Sequence, residues 1–182
     1  NGGESLYYTL ERYSARRAGT DWSNWGRGTG LIWSGVTPGG ARITGTPKKR
    51  NYTSHLVNKN QDIFADLTLT KAGGPYLVDR TVIRLSAGKT LTIEPGVVIK
   101  FHNDAGLAAN GALVADGTDA DPIVFTAFTD DAYGGDLNGD GVCDPANASS
   151  TASCPSARSW FGVDLSATAA GSLFDNTIFR YG

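Results

Sequence analysis

Every alternating apolar run after Tyr76 is closed within a few positions by Gly, Asp or Pro, and nothing between the runs reads as a helix long enough to carry a crossover. Tyr76 to Leu85 ends at Ser86-Ala87-Gly88, Lys89 to Glu94 at Pro95-Gly96, and Val97 to Phe101 at His102-Asn103-Asp104-Ala105-Gly106. Ala112 to Ala115 ends at Asp116-Gly117-Thr118-Asp119, and Pro122 to Ala127 leads into a long Asp/Gly loop. Further strands are expected near Ser159 to Leu165 and Leu173 to Tyr181. The phase is definite: Leu91 and Ile93 share one face, Val97, Ile99 and Phe101 share one, and Thr92 and Lys100 point the other way. The chain is therefore read as all-β, in keeping with 24 Gly, no Met and an abundance of β-branched residues. Such strands suit a sandwich, a meander or a solenoid; inward-facing runs that turn at Gly88, Gly96, Gly106 and Gly117 favour the solenoid.

Four segments carry a resemblance. Lys89-Thr90-Leu91-Thr92-Ile93-Glu94-Pro95-Gly96-Val97-Val98-Ile99-Lys100-Phe101 resembles the opening rung of a broad family of secreted, mostly bacterial, right-handed parallel β-helix proteins. Asn110 to Thr118, Asp121-Pro122-Ile123-Val124-Phe125-Thr126 and Phe179-Arg180-Tyr181-Gly182 resemble its later segments and arrive in its order, so that the likeness covers about residues 74–182. One segment departs, Ser159-Trp160-Phe161-Gly162-Val163, where the family tends to show Gly-Asp-Trp-Gly-Gly. The resemblance implies a right-handed parallel β-helix but no single activity, since such proteins are surface proteins, adhesins and accessory modules. It also implies further rungs, so the chain is expected either to be a piece of a longer protein or to have its last rung at Tyr181-Gly182 covered by something else, since an uncovered rung exposes unpaired edges that invite association.

Two regions are expected: an N-terminal cap or docking region over residues 1–70, basic and Trp-rich, and β-helix rungs over 71–182 with an insertion at about 129–158. Residues 1–60 hold nine Lys/Arg against three acids, a balance of +6, and the remaining residues carry a balance of −8. That division suits head-to-tail attraction between copies or a basic arm on an anionic polymer, and equally two solvated faces. Tyr7 to Ala18 fits a short amphipathic helix, and Leu31-Ile32-Trp33 and Ala41-Arg42-Ile43-Thr44 flank Thr37-Pro38-Gly39-Gly40 like a hairpin. Trp22, Trp25 and Trp33 among arginines are candidates for docking or glycan contact, or else for packing within the cap.

The insertion holds the most specific chemical signal, Asp136-Leu137-Asn138-Gly139-Asp140-Gly141-Val142-Cys143-Asp144. Oxygen donors at alternate positions before a Gly turn match the first half of an EF-hand loop, whose hard oxygens suit calcium. Asp136, Asn138 and Asp140 side chains, the Val142 carbonyl and Asp144 would form a partial shell. Asn147 stands where an EF-hand has its bidentate Glu, and Asp130 or, preferably, Asp131 would supply the missing carboxylate. The family resemblance agrees, because its members often carry a Gly-Asp-x-Asn-x-Asp-Gly insertion after the Phe-Thr strand. The alternative is a solvated acidic turn without an ion.

Cys143 and Cys154 read as a disulfide closing the same surface insertion, with two free thiols as the alternative. Asn51-Tyr52-Thr53 and Asn147-Ala148-Ser149 are glycosylation sequons, placing Asn51 and Asn147 as possible acceptors. No run of about 18 apolar residues exists, so no membrane insertion is expected. The start lacks a basic n-region and an apolar h-region, so any leader is expected to have been removed. The expected location is extracellular and cell-surface associated.

No catalytic residues are assigned. His55 and His102 are isolated, no Gly-x-Ser-x-Gly elbow, Walker loop or zinc spacing occurs, and no pair of carboxyls is marked out for glycosidase work. Arg84, Lys100 and Arg180 could align on neighbouring rungs, but outward bases on strands are ordinarily solvated. The expectation is a structural or adhesive module that meets copies of itself or other surface proteins, a role open to head-to-tail assembly into a filament. A carbohydrate-binding or carbohydrate-cleaving β-helix is the alternative. Nucleic acid is not expected at a net charge of −2.

Overall fold

The computed structural model describes residues 62–138, 140, 142–143 and 152–182, together with Thr20 and the backbone of four short N-terminal strands. The four are β1 (Leu10–Arg12), β2 (Trp25–Arg27), β3 (Trp33–Val36) and β4 (Arg42–Thr44). β1 pairs antiparallel with β2, and β3 with β4. The β3–β4 pair is the hairpin expected around Thr37 to Gly40. The helix expected over Tyr7 to Ala18 is overturned at its centre, where Leu10, Glu11 and Arg12 form a strand facing Arg27, Gly26 and Trp25. A helix of that length is marginal by itself, so inter-strand hydrogen bonding prevails. Trp22 and the acceptor Asn51 lie outside the described residues, and of Trp25 and Trp33 only the backbone is described.

The remaining eleven strands form three parallel sheets. They are β5 (Leu67–Leu69), β6 (Tyr76–Val78), β7 (Val82–Leu85), β8 (Thr90–Ile93), β9 (Val98–Phe101), β10 (Gly106–Ala109), β11 (Ala112–Asp116), β12 (Ile123–Ala127), β13 (Val163–Leu165), β14 (Leu173–Asp175) and β15 (Thr177–Phe179). The first sheet has the order β14-β11-β8-β5, the second β15-β12-β9-β6 and the third β13-β10-β7. Hydrogen-bonded neighbours are thus always three strands apart in sequence: the chain visits the three sheets in turn and comes back to pair beside its previous visit. Parallel pairing begins with a bridge between Ile63 and Leu85, ahead of the expected boundary at residue 70. β10 begins at the Gly106 that the sequence places at the end of a turn, where no strand is expected; its Gly106 and small Ala residues give little apolar signal, and partners on both sides define it.

Because the register is conserved from strand to strand, inward residues stack into columns. One runs Leu69, Ile93, Ala115, Phe174; another Tyr76, Ile99, Phe125, Phe179; a third Leu85, Ala109, Leu165. Phe125 and Phe179 stack with centroids 4.8 Å apart, and Trp160 stacks on Phe101 at 4.2 Å. Burial of this apolar surface is the main favourable term, about 25 cal/mol per Å² removed from water. The columns are buried through their middle members and open at the last ones: Phe125 is fully buried, whereas Phe179 is 48% exposed and Leu165 43% exposed.

The corners between sheets are tight. At Asn110-Gly111 a Cβ on Gly111 would lie 2.2 Å from the Lys89 carbonyl oxygen, so only glycine lets the third sheet pass into the first there. The corner from the second sheet to the third takes residues 79–81 on the first visit and 102–105 on the next. On the third visit it expands to 128–162, and the insertion leaves the stack at this point.

Candidate functional site

The insertion folds back over the outer face of the second sheet. Along β6, β9 and β12 the burial does not alternate: Leu77, Lys100 and Thr126, all outward by register, are fully buried. Gly134, at φ +73°, lets the returning backbone approach so closely that a Cβ there would stand 3.0 Å from Pro75 Cβ and 3.3 Å from Lys100 Cε. Leu137 is buried, and the Lys100 ammonium donates to the Gly135 carbonyl. The expectation that Lys100 lies on a solvated face is therefore corrected: the covering layer is contributed by residues more than thirty positions later. Arg84, by contrast, is exposed as expected.

The stem of the insertion is fixed by Asp130, which is buried and accepts from Thr126 Oγ1 and, at 3.2 Å, from Arg180 Nε. Arg180 is itself held between the rings of Tyr133 and Tyr181, each centroid 5.0 Å from its guanidinium carbon, and donates to the Tyr181 hydroxyl at 2.8 Å. Arg180 stays partly exposed but is held by these partners. Since Asp130 is engaged here, Asp131 is the carboxylate left for the loop.

Asp131 Oδ2 accepts from the Cys143 amide at 2.9 Å, and Asp140 Oδ2 from the Ser153 amide at 2.8 Å. Their second oxygens, Asp131 Oδ1 and Asp140 Oδ1, are buried without a hydrogen-bond partner, as is Asn138 Oδ1. A buried acceptor left unmade costs about 1–3 kcal/mol. Burial is the first cause that pushes the Asp131 carboxyl up, reinforced by the charges of Asp136 and Asp140 and opposed by the Cys143 amide and Lys100. Lys100 is lowered to about 8, chiefly by burial and against the pull of Asp131, Asp130 and Asp136. Cys143 and Cys154 form a disulfide with Cα atoms 5.0 Å apart, closing the far side of the insertion.

Among the described residues, no three His, Cys, Asp or Glu side chains are grouped so as to hold a metal by themselves. The set does not need three acids, because calcium also accepts amide and backbone carbonyl oxygens. Three orphaned, buried oxygens of Asp131, Asn138 and Asp140 fit a hard cation, with Asp136 close enough for its charge to act on Asp131. Val142 lies beside Cys143 with its side chain outward, which is compatible with a role for its carbonyl alone. Asp144 and the sequon residue Asn147 lie outside the described residues. The orphaned oxygens could be anticipated from the alternating Asp/Asn pattern; the buried Lys100 beneath them could not, because a lone Lys in an alternating strand reads as solvated.

No helix among the described residues is long and apolar enough to cross a membrane. No family model matches the chain, and no solved structure matches it. A stretch of 87 residues, 48% of the chain, is 37% identical to part of Protein bark beetle of Drosophila melanogaster. That stretch spans about 3% of the length of the fly protein.

Proposed function

We propose that the chain is a structural module of an extracellular surface protein: a stretch of right-handed parallel β-helix that meets copies of itself or other surface proteins. The observation that carries this reading is the stack of three parallel sheets whose hydrogen-bonded neighbours are three strands apart, with a disulfide-closed insertion laid over one of them. Parallel connections within a sheet are right-handed in about 98% of cases, which supports the handedness. The disulfide suits an oxidising compartment. Sedimentation at high protein concentration, in calcium and low salt, is expected to show association that raised salt weakens, since residues 1–60 carry a balance of +6 and the rest −8. A monodisperse wild-type monomer would sink the self-association version and leave adhesion to other surface proteins.

The insertion, on the same reading, binds calcium through Asp131, Asn138, Asp140 and the Val142 carbonyl, with Asp136 and Asp144 contributing. The bound ion would neutralise the carboxylates and occupy the orphaned oxygens. A ligand that binds only the folded state stabilises by about 2.7 kcal/mol at a hundredfold excess over its dissociation constant. Excess chelator should therefore lower Tm, and Asp140→Ala should erase the difference between calcium and chelator. Identical wild-type melting in both conditions would reduce the loop to an acidic turn.

A further inference from the structure

We propose that Lys100 is a built-in counter-ion of the candidate calcium loop, holding the insertion on the second sheet when no metal is bound and setting how weakly the metal binds. The proposal rests on the calcium reading and deepens it. Lys100 stands on β9 with its side chain fully buried, and its ammonium donates to the Gly135 carbonyl, immediately before Asp136. Asp130, Asp131 and Asp136 all act on its charge. A buried cation is costly unless paired, and these acids are equally costly to gather without a cation. The two needs answer each other, so the insertion can pack before any metal arrives.

The same ammonium must then repel a divalent ion. Like charges interact far more strongly in a site screened from water than on a surface. Lys100 therefore places the loop among weak sites, of the class of extracellular modules with Kd on the order of 10⁻⁴ to 10⁻³ M. Such a site fills where calcium is roughly millimolar and stays empty where it is scarce. The loop would thus carry metal only outside the cell and still be folded during passage there.

The test uses the full chain and calcium chloride as the probe, with calorimetric titration and melting curves for the wild type, Lys100→Met, Lys100→Gln and Lys100→Arg. Lys100→Met and Lys100→Gln should bind calcium about tenfold or more tightly, an increment of about 1.4 kcal/mol or more. They should also widen the gap in Tm between calcium and chelator, while Lys100→Arg stays near the wild type. If the neutral variants fold only with calcium, the proposal holds in its strongest form. If they unfold in both conditions, or bind no more tightly than a wild type that does bind, Lys100 is merely a tether and the proposal is overturned with the calcium reading intact. Uptake by the neutral variants but not by the wild type would keep the counter-ion role and refute calcium binding by the native chain. Uptake by none would refute both.

Discussion

The outer faces of the first and second sheets begin from the same pattern and end in opposite environments. On the first, Thr68 is exposed and Thr92 and Val114 are half-buried. On the second, Leu77, Lys100 and Thr126 occupy the corresponding outward positions in register and are fully buried. The inner faces of both sheets contribute alike to the columns. The difference arises outside the stack, at the corner that lengthens to residues 128–162, whose residues 134–137 lie back over the second sheet. An outward position in a parallel stack is thus polar or apolar by choice of its covering, whereas an inward one has no such freedom.

Breaking what the two faces share should have the largest effect. Phe125 stacks on Phe179 and lies in the middle of a column, so Phe125→Ala should cost about 3–5 kcal/mol, read from urea unfolding. A loss below 1 kcal/mol would mean that the columns are not the core. Removing the constraint on the covering layer comes next: Cys143→Ser with Cys154→Ser opens a loop with a sequence separation of 11 and should cost about 3 kcal/mol if the insertion stays structured only when native. Hydrogen exchange should then speed up from Thr126 to Leu137 and leave β8 and β11 unchanged; equal acceleration in all sheets would deny the insertion its separate role. The smallest effect is expected on the uncovered side, where Arg84→Ala should stay within about 0.5 kcal/mol. A larger cost there would show that the two kinds of face are not distinct.

Much of this was legible in the residues. Alternation at Leu91/Ile93 and Ile99/Phe101 located β8 and β9 and their inward faces, and the oxygen-bearing pattern from Asp136 to Asp144 contains two of the three orphaned acceptors, those of Asn138 and Asp140. β10 escaped because Gly106, Ala108 and Ala109 have little side chain with which to announce a buried face. In sequence, Asp131 is preferred to its neighbour Asp130 with no contact to separate them; the bonds of Asp130 to Thr126 and Arg180 supply that ground.

By itself, the sequence determined the all-β class, the positions of most strands and the inward faces of β8 and β9, because a period of two and the steric demands of turns act over a few residues. Only the tertiary structure decided which strands pair, that neighbours lie three strands apart, and that Lys100 is buried. Those outcomes depend on stacking and on a layer folded back from thirty-five positions away, and neither leaves a mark on the local pattern that a short strand can carry.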